Sequence, residues 1–258
     1  MGGTSDTHRL VDPYEVAALY YDLTVSHPIG NTTPQPSFFA SLADVRQRVL
    51  EIGAGTGRTT LAVAERARSV WCLEPSPAMR SLLLNRVQHS ALPPDRVTIL
   101  PFRELPETLP GRFDYAVLAG VLGSVAHDDR PRLFRTIAGH LTHGAILASD
   151  MFGDTDFSPA SPVLIAEARL GEIRYTTHVE VTDAVSGPEG GIAETKYVYR
   201  TYLGSQLLTE EEQVQVRHGT TRSIVIEQLN EAGFTVLAPG QRAGSVVAPL
   251  DVLLAERN

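Results

Sequence analysis

Short apolar runs alternate with segments of helical periodicity through the first 150 residues of the chain. The apolar runs predict buried strands, and the segments in which apolar residues recur every three or four positions predict helices. This β-α-β alternation predicts a mostly parallel sheet with helices on both faces. The strands are expected at residues 48–51, 69–74, 96–100, 113–118 and 145–150, and the helices at residues 57–67, 77–90 and 130–141.

The pattern changes on both sides of this alternating core. Before it, residues 13–21 and 37–45 have helical spacing, and a loop rich in Pro, Gly, Asn and Thr is expected at 24–36. After it, residues 172–182 and 192–202 alternate loosely between apolar and polar positions, which predicts an antiparallel hairpin or small sheet. A helix and two strands are expected after these segments, at residues 221–232, 234–238 and 245–254.

A glycine-rich loop follows the first predicted strand. The stretch from Val49 to Arg58 reads V-L-E-I-G-A-G-T-G-R, so an apolar run carries an acidic residue and leads into three glycines that alternate with small residues. Glycine has no Cβ atom, so the backbone can turn sharply here and a ligand can lie against it. Taken alone, such a loop fits NAD, FAD, a phosphate group, S-adenosylmethionine or no ligand at all.

Two glutamates narrow this choice. Glu74 ends the second strand, seventeen residues after Gly57, where a carboxylate is suited to bind the two hydroxyls of a ribose. The spacing Gly53-x-Gly55-x-Gly57 differs from the G-x-G-x-x-G of dinucleotide sites. Glu51 would repel a pyrophosphate, but it suits a ligand that carries an ammonium or a sulfonium. An NAD(P)-dependent oxidoreductase is therefore disfavoured.

The two motifs together resemble a known family. E-x-G-x-G-x-G, which begins at Glu51, and E-P-S-x-x-M, from Glu74 to Met79, resemble the first two motifs of class I S-adenosylmethionine-dependent methyltransferases, and the resemblance extends from Tyr14 onward. It implies a Rossmann-like α/β fold with a seven-stranded, mostly parallel sheet, helices on both faces and an antiparallel edge. The implied parts are an N-terminal helical lid at 1–45, a cofactor-binding domain at 46–154 and 206–258, and an inserted antiparallel acceptor-binding region at 155–205.

The same resemblance implies how S-adenosylmethionine, and its product S-adenosylhomocysteine, would be held. The glycine loop would pass under the methionine and ribose, while Glu51 would face the α-ammonium and Glu74 the ribose hydroxyls. Phe102 stands where many members have an acidic residue; it is expected to border the adenine, and backbone groups or Glu104 would make the polar contacts. The implied cofactor-binding residues are Tyr20, Glu51, Gly53, Ala54, Gly55, Gly57, Glu74, Pro75, Met79, Phe102, Arg103, Ala119, Gly120 and Val121.

Two histidines are candidates for the catalytic residue that removes a proton. A histidine side chain titrates near neutral pH, which suits a general base for either an amine or a hydroxyl. His127 follows the segment after the fourth strand, and His178 lies on an inserted strand. The alternatives are a structural role for either histidine, and an amine acceptor that enters neutral and needs no base.

The acceptor is indicated by a looser resemblance. The segment from Leu118 to His127, the run Tyr20-Tyr21-Asp22 and the inserted sheet resemble natural-product tailoring N-methyltransferases, which act on amino sugars or peptide amines, as in antibiotic biosynthesis. No N-P-P-Y or D-P-P-Y run follows the fourth strand, so planar amide or base nitrogens are disfavoured, and no Lys-Asp-Glu metal set of the catechol type is present, so no metal is expected. O-methylation of a small-molecule hydroxyl and non-catalytic cofactor binding are the alternatives.

Composition adds expectations about partners and location. A net charge of −8 disfavours a nucleic-acid partner, because phosphate binding needs a basic surface. No apolar run reaches the length of a membrane span and the N-terminus is polar, so no membrane partner is expected. The one cysteine, Cys72, lies within the second strand and fits a reducing cytoplasm. A homodimer contact through the inserted region is a further expectation of the resemblance.

Overall fold

The computed structural model describes residues 12–29, 36–151, 157–187, 190–243, 246–247 and 252–258. Parts of the expected lid, the expected loop and the expected last strand lie outside the described residues, at 1–11, 30–35 and 248–251. The strands are β1 (Arg48–Ile52), β2 (Ser69–Leu73), β3 (Val97–Leu100), β4 (Phe113–Leu118), β5 (Leu141–Asp150), β6 (Ala160–Leu170), β7 (Ile173–Val185), β8 (Ile192–Leu203), β9 (Gln206–His218), β10 (Phe234–Val236), β11 (Arg242–Ala243), β12 (Val246–Val247) and β13 (Val252–Arg257). The helices are α1 (Ala17–Ser26), α2 (Pro36–Ser41), α3 (Arg58–Ala64), α4 (Pro77–Gln88), α5 (Arg130–His140) and α6 (Arg222–Glu231), with 3-10 turns at Leu122–Ser124 and His127–Asp129.

Seven strands form one sheet, in the order β10-β13-β5-β4-β1-β2-β3. Strands β1 to β5 run parallel to one another, whereas β13 is antiparallel to β5 and β10 is antiparallel to β13, as expected for this fold. Ile52 at the end of β1 pairs with Leu73 of β2 and with Leu118 of β4. The loops that follow these three strands are therefore adjacent, at the point where the strand order reverses and ligands bind in such sheets.

Helices cover both faces of this sheet through two apolar clusters. On one face Phe134 of α5 and Leu229 of α6 pack against Phe113 and other sheet residues, all of them buried. On the other face Val63 of α3 and Leu83 of α4 are buried against β1, β2 and β4. Each fully buried side chain of this size contributes about 1.5–3 kcal/mol relative to an exposed one. The described helices include none that is both long and apolar enough to cross a membrane.

The inserted region forms a four-stranded antiparallel sheet, β6-β7-β8-β9. The expected hairpin corresponds to β7 and β8, which pair along their length. The sheet continues past the expected boundary at residue 205, because residues 206–218 pair with β8 as its fourth strand. The run Glu210-Glu211-Glu212 in this strand has low intrinsic β propensity, so the sequence pattern did not reveal it.

The first helix and the last strands differ from their expected bounds. Residues 13–16 form a turn rather than helix, since the Asp12 carboxylate accepts a hydrogen bond from the Tyr14 N–H at 2.9 Å. Helix α1 then continues to Ser26, because the Thr24 hydroxyl is hydrogen-bonded to that of Thr177 in β7 at 2.8 Å. The strand expected at 245–254 is wrong in its bounds: β13 begins at Val252, and part of the earlier stretch pairs in the short β11–β12 ladder.

Helix α1 is attached to both sheets. Toward the seven-stranded sheet, Asp22 accepts a hydrogen bond from the Thr56 hydroxyl at 2.7 Å and forms an ion pair with Arg86 of α4. Toward the inserted sheet, the Ala17 N–H donates to the side-chain oxygen of Gln213 at 2.6 Å. The described part of the N-terminal segment therefore lies between the glycine loop and the inserted sheet, and its role as a lid stays a prediction.

The Asp22 contacts predict a measurable contribution to stability. Replacing Asp22 with Ala removes a partly buried hydrogen bond and ion pair, so we expect a loss of about 1–2 kcal/mol in the free energy of unfolding. Urea unfolding and hydrogen exchange of residues 17–26 measure this change. Arg132→Ala is the matched control, since Arg132 and its partner Glu104 are each 71% exposed and such pairs contribute about 0–1 kcal/mol. Equal losses in the two variants would contradict the attachment of α1 through Asp22.

Candidate active site

The glycine loop leaves β1 in a conformation that requires glycine. Gly53, Gly55 and Gly57 have φ values of 71°, 58° and 85°, the left-handed region that disfavours residues with a Cβ atom. The N–H groups of Gly53 and Ala54 both donate to the Leu73 carbonyl at 2.9 Å. The end of β2 therefore fixes the start of the loop.

The three glycines face different surroundings. A Cβ atom at Gly53 would lie 2.8 Å from Val121, and one at Gly57 would lie 2.4 Å from Leu83. A Cβ atom at Gly55 would meet no atom of the described residues within 4 Å. Gly53 and Gly57 are thus required by packing within the protein, whereas Gly55 borders open space in which a ligand can approach the backbone.

Glu74 stands at the carboxyl end of β2 and is directed back at the loop. Its carboxylate accepts hydrogen bonds from the Gly55 N–H at 2.7 Å and the Ser76 N–H at 2.8 Å. Burial raises the pKa of Glu74, against these two backbone donors, which favour the ionised form. Each carboxylate oxygen has a second lone pair, so Glu74 retains the capacity to accept from a pair of ligand hydroxyls.

Glu51 lies beneath the loop, in the layer between the sheet and α3. Its side chain is only 2% exposed, and its Oε2 has no hydrogen-bond partner among the described residues. Burial raises the pKa of Glu51 to about 8; the Thr60 hydroxyl opposes this shift and Glu74 adds to it. A buried carboxylate without a cation nearby takes up a proton, and an ammonium beside it would favour the ionised form.

The residues expected at the adenine fall into different environments. Met79 is only 2% exposed and belongs to a cluster with Tyr20 and Tyr199, so it packs beneath α1. Pro75, Phe102 and Arg103 are exposed at the carboxyl end of the sheet. The Glu104 carboxylate forms an ion pair with Arg132 at 2.9 Å on the surface, which engages it away from the loop. The contact of these residues with an adenine stays a prediction.

The segment after β4 lies beside the glycine loop. The Gly120 N–H donates to both oxygens of Asp150, at 2.8 and 2.9 Å, and Asp150 is buried at the end of β5. Gly120 has a φ of 72°, and in the part of the chain that the structure describes a Cβ atom there would meet nothing within 4 Å, as at Gly55. Val121 packs against Gly53, and Ala119 packs against the α3 and α4 face of the sheet. The sequence predicts that Asp150 gathers with Gly120 at the carboxyl edge of the sheet, but it does not predict the hydrogen bonds between them.

Tyr20 and Tyr21, which are adjacent in helix α1, have different surroundings. Tyr20 stacks on Tyr199 of the inserted sheet, with ring centroids 4.7 Å apart, and its hydroxyl donates to Glu211. This position favours a packing role for Tyr20 over contact with a cofactor. Burial raises the pKa of Tyr21 to about 12; Tyr14 adds to this shift, Arg217 and Arg58 oppose it, and Asp150 makes the smallest contribution.

The two candidate histidines are far from equivalent. His127 opens the 3-10 turn that follows Ser124, on the loop after β4, and its side chain is partly buried. His178 neighbours Thr177, whose hydroxyl contacts α1, so the alternation of the strand directs His178 to the opposite face. There Nδ1 of His178 lies 3.4 Å from Arg200, and burial together with this cation lowers the His178 pKa. The structure therefore does not bring His178 to the loops of the seven-stranded sheet.

The described residues contain no group of three or more His, Cys, Asp and Glu side chains that could hold a metal ion. They do fit S-adenosylmethionine. The open backbone at Gly55, the unsatisfied carboxylate oxygen of Glu51 and the spare lone pairs of Glu74 lie around one loop. These features provide a surface, a partner for an ammonium and acceptors for two hydroxyls.

Comparison with known proteins supports this assignment. Residues 50–147 match the family model described as a methyltransferase domain. An alignment over 88 positions is 36% identical to the protein-L-isoaspartate O-methyltransferase of Anaeromyxobacter dehalogenans (strain 2CP-C). The match covers 31% of this chain and 42% of the length of the relative.

Solved structures resemble the chain over a greater length. The sugar N-methyltransferase KedS8 from Streptoalloteichus sp. ATCC 53650 has a TM-score of 0.68 at 16% identity and covers 100% of this chain and 98% of its own. Streptomyces venezuelae DesVI has a TM-score of 0.69 at 14% identity, with coverages of 96% and 99%. CalS10 from Micromonospora echinaspora, an amino pentose methyltransferase solved with bound S-adenosylmethionine, has a TM-score of 0.64 at 19% identity, with coverages of 86% and 88%.

These matches confirm the expected fold and the expected resemblance. Residues 50–147 match the model of a methyltransferase domain, and the chain shares its Rossmann-like fold with the solved methyltransferases KedS8 and CalS10.

Proposed function

We propose that the protein is a methyltransferase that transfers a methyl group from S-adenosylmethionine to an amine of a small molecule or peptide. The main observation behind the proposal is the glycine loop, where Gly55 borders open space. On either side of this space lie the buried carboxylate of Glu51 and the carboxylate of Glu74, which is placed to bind ribose hydroxyls. When bound, S-adenosylmethionine supplies an electrophilic methyl group on a sulfonium. The protein's own task is to hold both reactants in line and to exclude water, which can contribute several kcal/mol.

Each part of the site has a distinct task in this proposal. Glu74 accepts the two ribose hydroxyls, and Glu51 carries the negative charge that balances the α-ammonium. Asp150 accepts hydrogen bonds from the Gly120 N–H and thereby fixes the loop that would face the acceptor. Helix α1 covers the glycine loop through Asp22 and limits the access of water.

An amine is the acceptor that the comparisons favour. KedS8 is a sugar N-methyltransferase whose structure covers 100% of this chain, and CalS10 is an amino pentose methyltransferase whose structure covers 86% of it. The O-methyltransferase relative matches only 88 residues, so its name carries little weight for the acceptor. In the reaction the lone pair of a neutral amine forms the new C–N bond, the C–S bond breaks, and the resulting ammonium then loses a proton. A role in natural-product biosynthesis, a cytoplasmic location and a homodimer stay predictions.

The glycine loop gives the first prediction. Gly55→Ala adds a methyl group where the cofactor would lie, so we expect affinity for S-adenosylhomocysteine to fall at least ~10-fold, or about 1.4 kcal/mol. Gly204→Ala is a matched control, because Gly204 also has a φ of 58° and a Cβ atom there would also meet no described atom within 4 Å. Gly204 lies in a turn of the inserted sheet. Both variants carry similar backbone strain, about 1–2 kcal/mol. Calorimetric titration with S-adenosylhomocysteine and NADH measures the effect; equal affinities in the two variants, or binding of NADH alone, would contradict the site.

Glu51 predicts that cofactor binding is linked to a proton. With a pKa of about 8, Glu51 is mainly protonated at neutral pH, and the bound ammonium would favour its ionised form. Binding should therefore release a proton, and affinity should rise with pH from about 6 to 8 and level off above the Glu51 pKa. Calorimetry at neutral pH in buffers of different ionisation enthalpy measures the release. Glu51→Gln, which cannot ionise, should release none; equal proton release in both proteins would refute this role.

The reaction itself is tested with pairs of acceptors. We expect aminodeoxy sugars and short peptides with a free amine to give S-adenosylhomocysteine and a methylated product, while the corresponding hydroxyl sugars and N-acetylated peptides give neither. Mass spectrometry of both products measures the transfer. Methylation confined to the hydroxyl compounds would establish O-methylation, and cofactor binding without any transfer would establish the non-catalytic alternative.

The same assay separates the two histidines. If His127 is the base, His127→Ala should lower turnover by about 10²–10⁴-fold. His178→Ala should change turnover little, because His178 faces away, and His89→Ala on the end of α4 provides a surface control. Wild-type turnover of His127→Ala from pH 6 to pH 9 would favour an amine that enters neutral.

A further inference from the structure

A cluster of hydrogen-bond donors lies where the inserted sheet meets the loop after β4. Arg217, near the end of β9, donates through Nη1 to the Ser124 hydroxyl at 3.2 Å and through Nη2 to the Tyr197 hydroxyl at 3.0 Å. The Tyr14 hydroxyl lies 3.3 Å from the same Ser124 oxygen. The cluster thus joins the segment before α1, the loop after β4, and strands β8 and β9.

The charge of Arg217 sets it apart from the cations on the other face of the same sheet. On that face Arg174 pairs with Glu167, Arg200 pairs with Glu210, and Lys196 pairs with two glutamates. No carboxylate lies within 4 Å of Arg217 in the described part of the chain, and its hydrogen-bond partners there are hydroxyl groups. Arg217 therefore presents a positive charge that the described residues do not neutralise with an ion pair.

The Arg217 guanidinium also has N–H donors beyond those used in the contacts with Ser124 and Tyr197. A guanidinium has five N–H donors and no acceptor, and the contacts with Ser124 and Tyr197 use only part of this set. Burial lowers the pKa of Arg217, but Tyr197 and Tyr14 outweigh that effect and the net shift is upward. A positive charge with N–H and O–H donors matches an anionic oxygen group, because charge-assisted hydrogen bonds to carboxylate or phosphate are the stronger ones.

A buried arginine holds the two sides of this cluster together. Arg130, at the start of α5, is fully buried, and its Nη2 lies 3.2 Å from the Leu122 carbonyl, 2.9 Å from that of His218 and 3.3 Å from that of Gly219. Leu122 precedes Ser124 by two residues, and His218 directly follows Arg217. Arg130 is thus a positioning residue that fixes the loop after β4 against the end of β9.

We propose that Arg217, Tyr197, Tyr14 and Ser124 form an acceptor subsite that binds a carboxylate or phosphate group of the methyl acceptor. The proposal rests on the proposed function in that the ligand is the acceptor, and it narrows the acceptor to amines that also carry an anionic group. The subsite adjoins the loop that starts with Ala119 and Gly120, so the anion would be held on the acceptor side of the glycine loop. Binding of a group that is separate from the reacting amine orients the acceptor for in-line attack.

The test uses the full chain saturated with S-adenosylhomocysteine, at constant chloride, with two probes titrated calorimetrically. The probes are inorganic pyrophosphate, for phosphate acceptors, and succinate, for carboxylate acceptors. We expect the wild-type protein to bind one of them in the millimolar range and Arg217→Gln to bind it at least ~10-fold more weakly, or about 1.4 kcal/mol. Tyr197→Phe, which removes only one hydroxyl, should give a smaller loss.

Arg174→Gln is the matched control, because it removes a cation from the opposite face of the same sheet. It should leave probe binding unchanged. The proposal is overturned if neither probe binds the wild-type protein, or if Arg217→Gln binds the probe as tightly as Arg174→Gln does. S-adenosylhomocysteine binding by each variant is measured first: its loss in the wild-type protein would overturn the proposed function, whereas its retention without probe binding would overturn the subsite alone.

Discussion

The continuation of the β1–β2 ladder into the glycine loop is the constraint on which the site depends. The Leu73 carbonyl accepts two N–H groups, from Gly53 and Ala54, so the loop begins its turn at a fixed point above β2. This turn aims the Gly55 N–H at Glu74, the residue that directly follows Leu73. Because the chain must then enter α3 at once, the backbone passes through three left-handed positions within five residues, which glycine alone adopts readily. The carboxylate, the open backbone and the start of the helix are thus set by one pair of hydrogen bonds.

The alternating core and the loop were predictable because local pattern and tertiary environment agree there. Strands buried on both faces read as apolar runs, and the positions of Glu51 and Glu74 followed from their place at strand ends. The different tasks of the glycines were not predictable, since the clash of a Cβ atom at Gly57 arises from Leu83 on a distant helix. Asp150 was expected at the same edge of the sheet as Gly120, but the hydrogen bonds between them were not predictable, because the two residues become adjacent only when β4 and β5 pair.

The inserted sheet shows where sequence patterns lose information. Its two faces are both rich in polar residues, so alternation of apolar and polar positions marks neither face clearly. The Thr177 side chain faces α1 and the His178 side chain faces the opposite side of the sheet. Because both residues are polar, the sequence does not indicate which of them faces α1. The fourth strand was assigned to the core for the same reason, since its three glutamates lie opposite Val198, Tyr199 and Arg200 of β8. Contacts with α1, which are long-range, decide the orientation.

The position of α1 between the two sheets affects how this protein could be recombined with its relatives. Tyr20 and Ala17 contact the inserted sheet, while Asp12 and Asp22 contact α4 and the glycine loop. A chimera that exchanged residues 160–218 alone would leave Tyr20 and the Ala17 N–H facing a foreign surface. The exchangeable module is therefore discontinuous: residues 12–26 must travel with the inserted sheet, although more than a hundred residues of cofactor-binding core separate them in the chain.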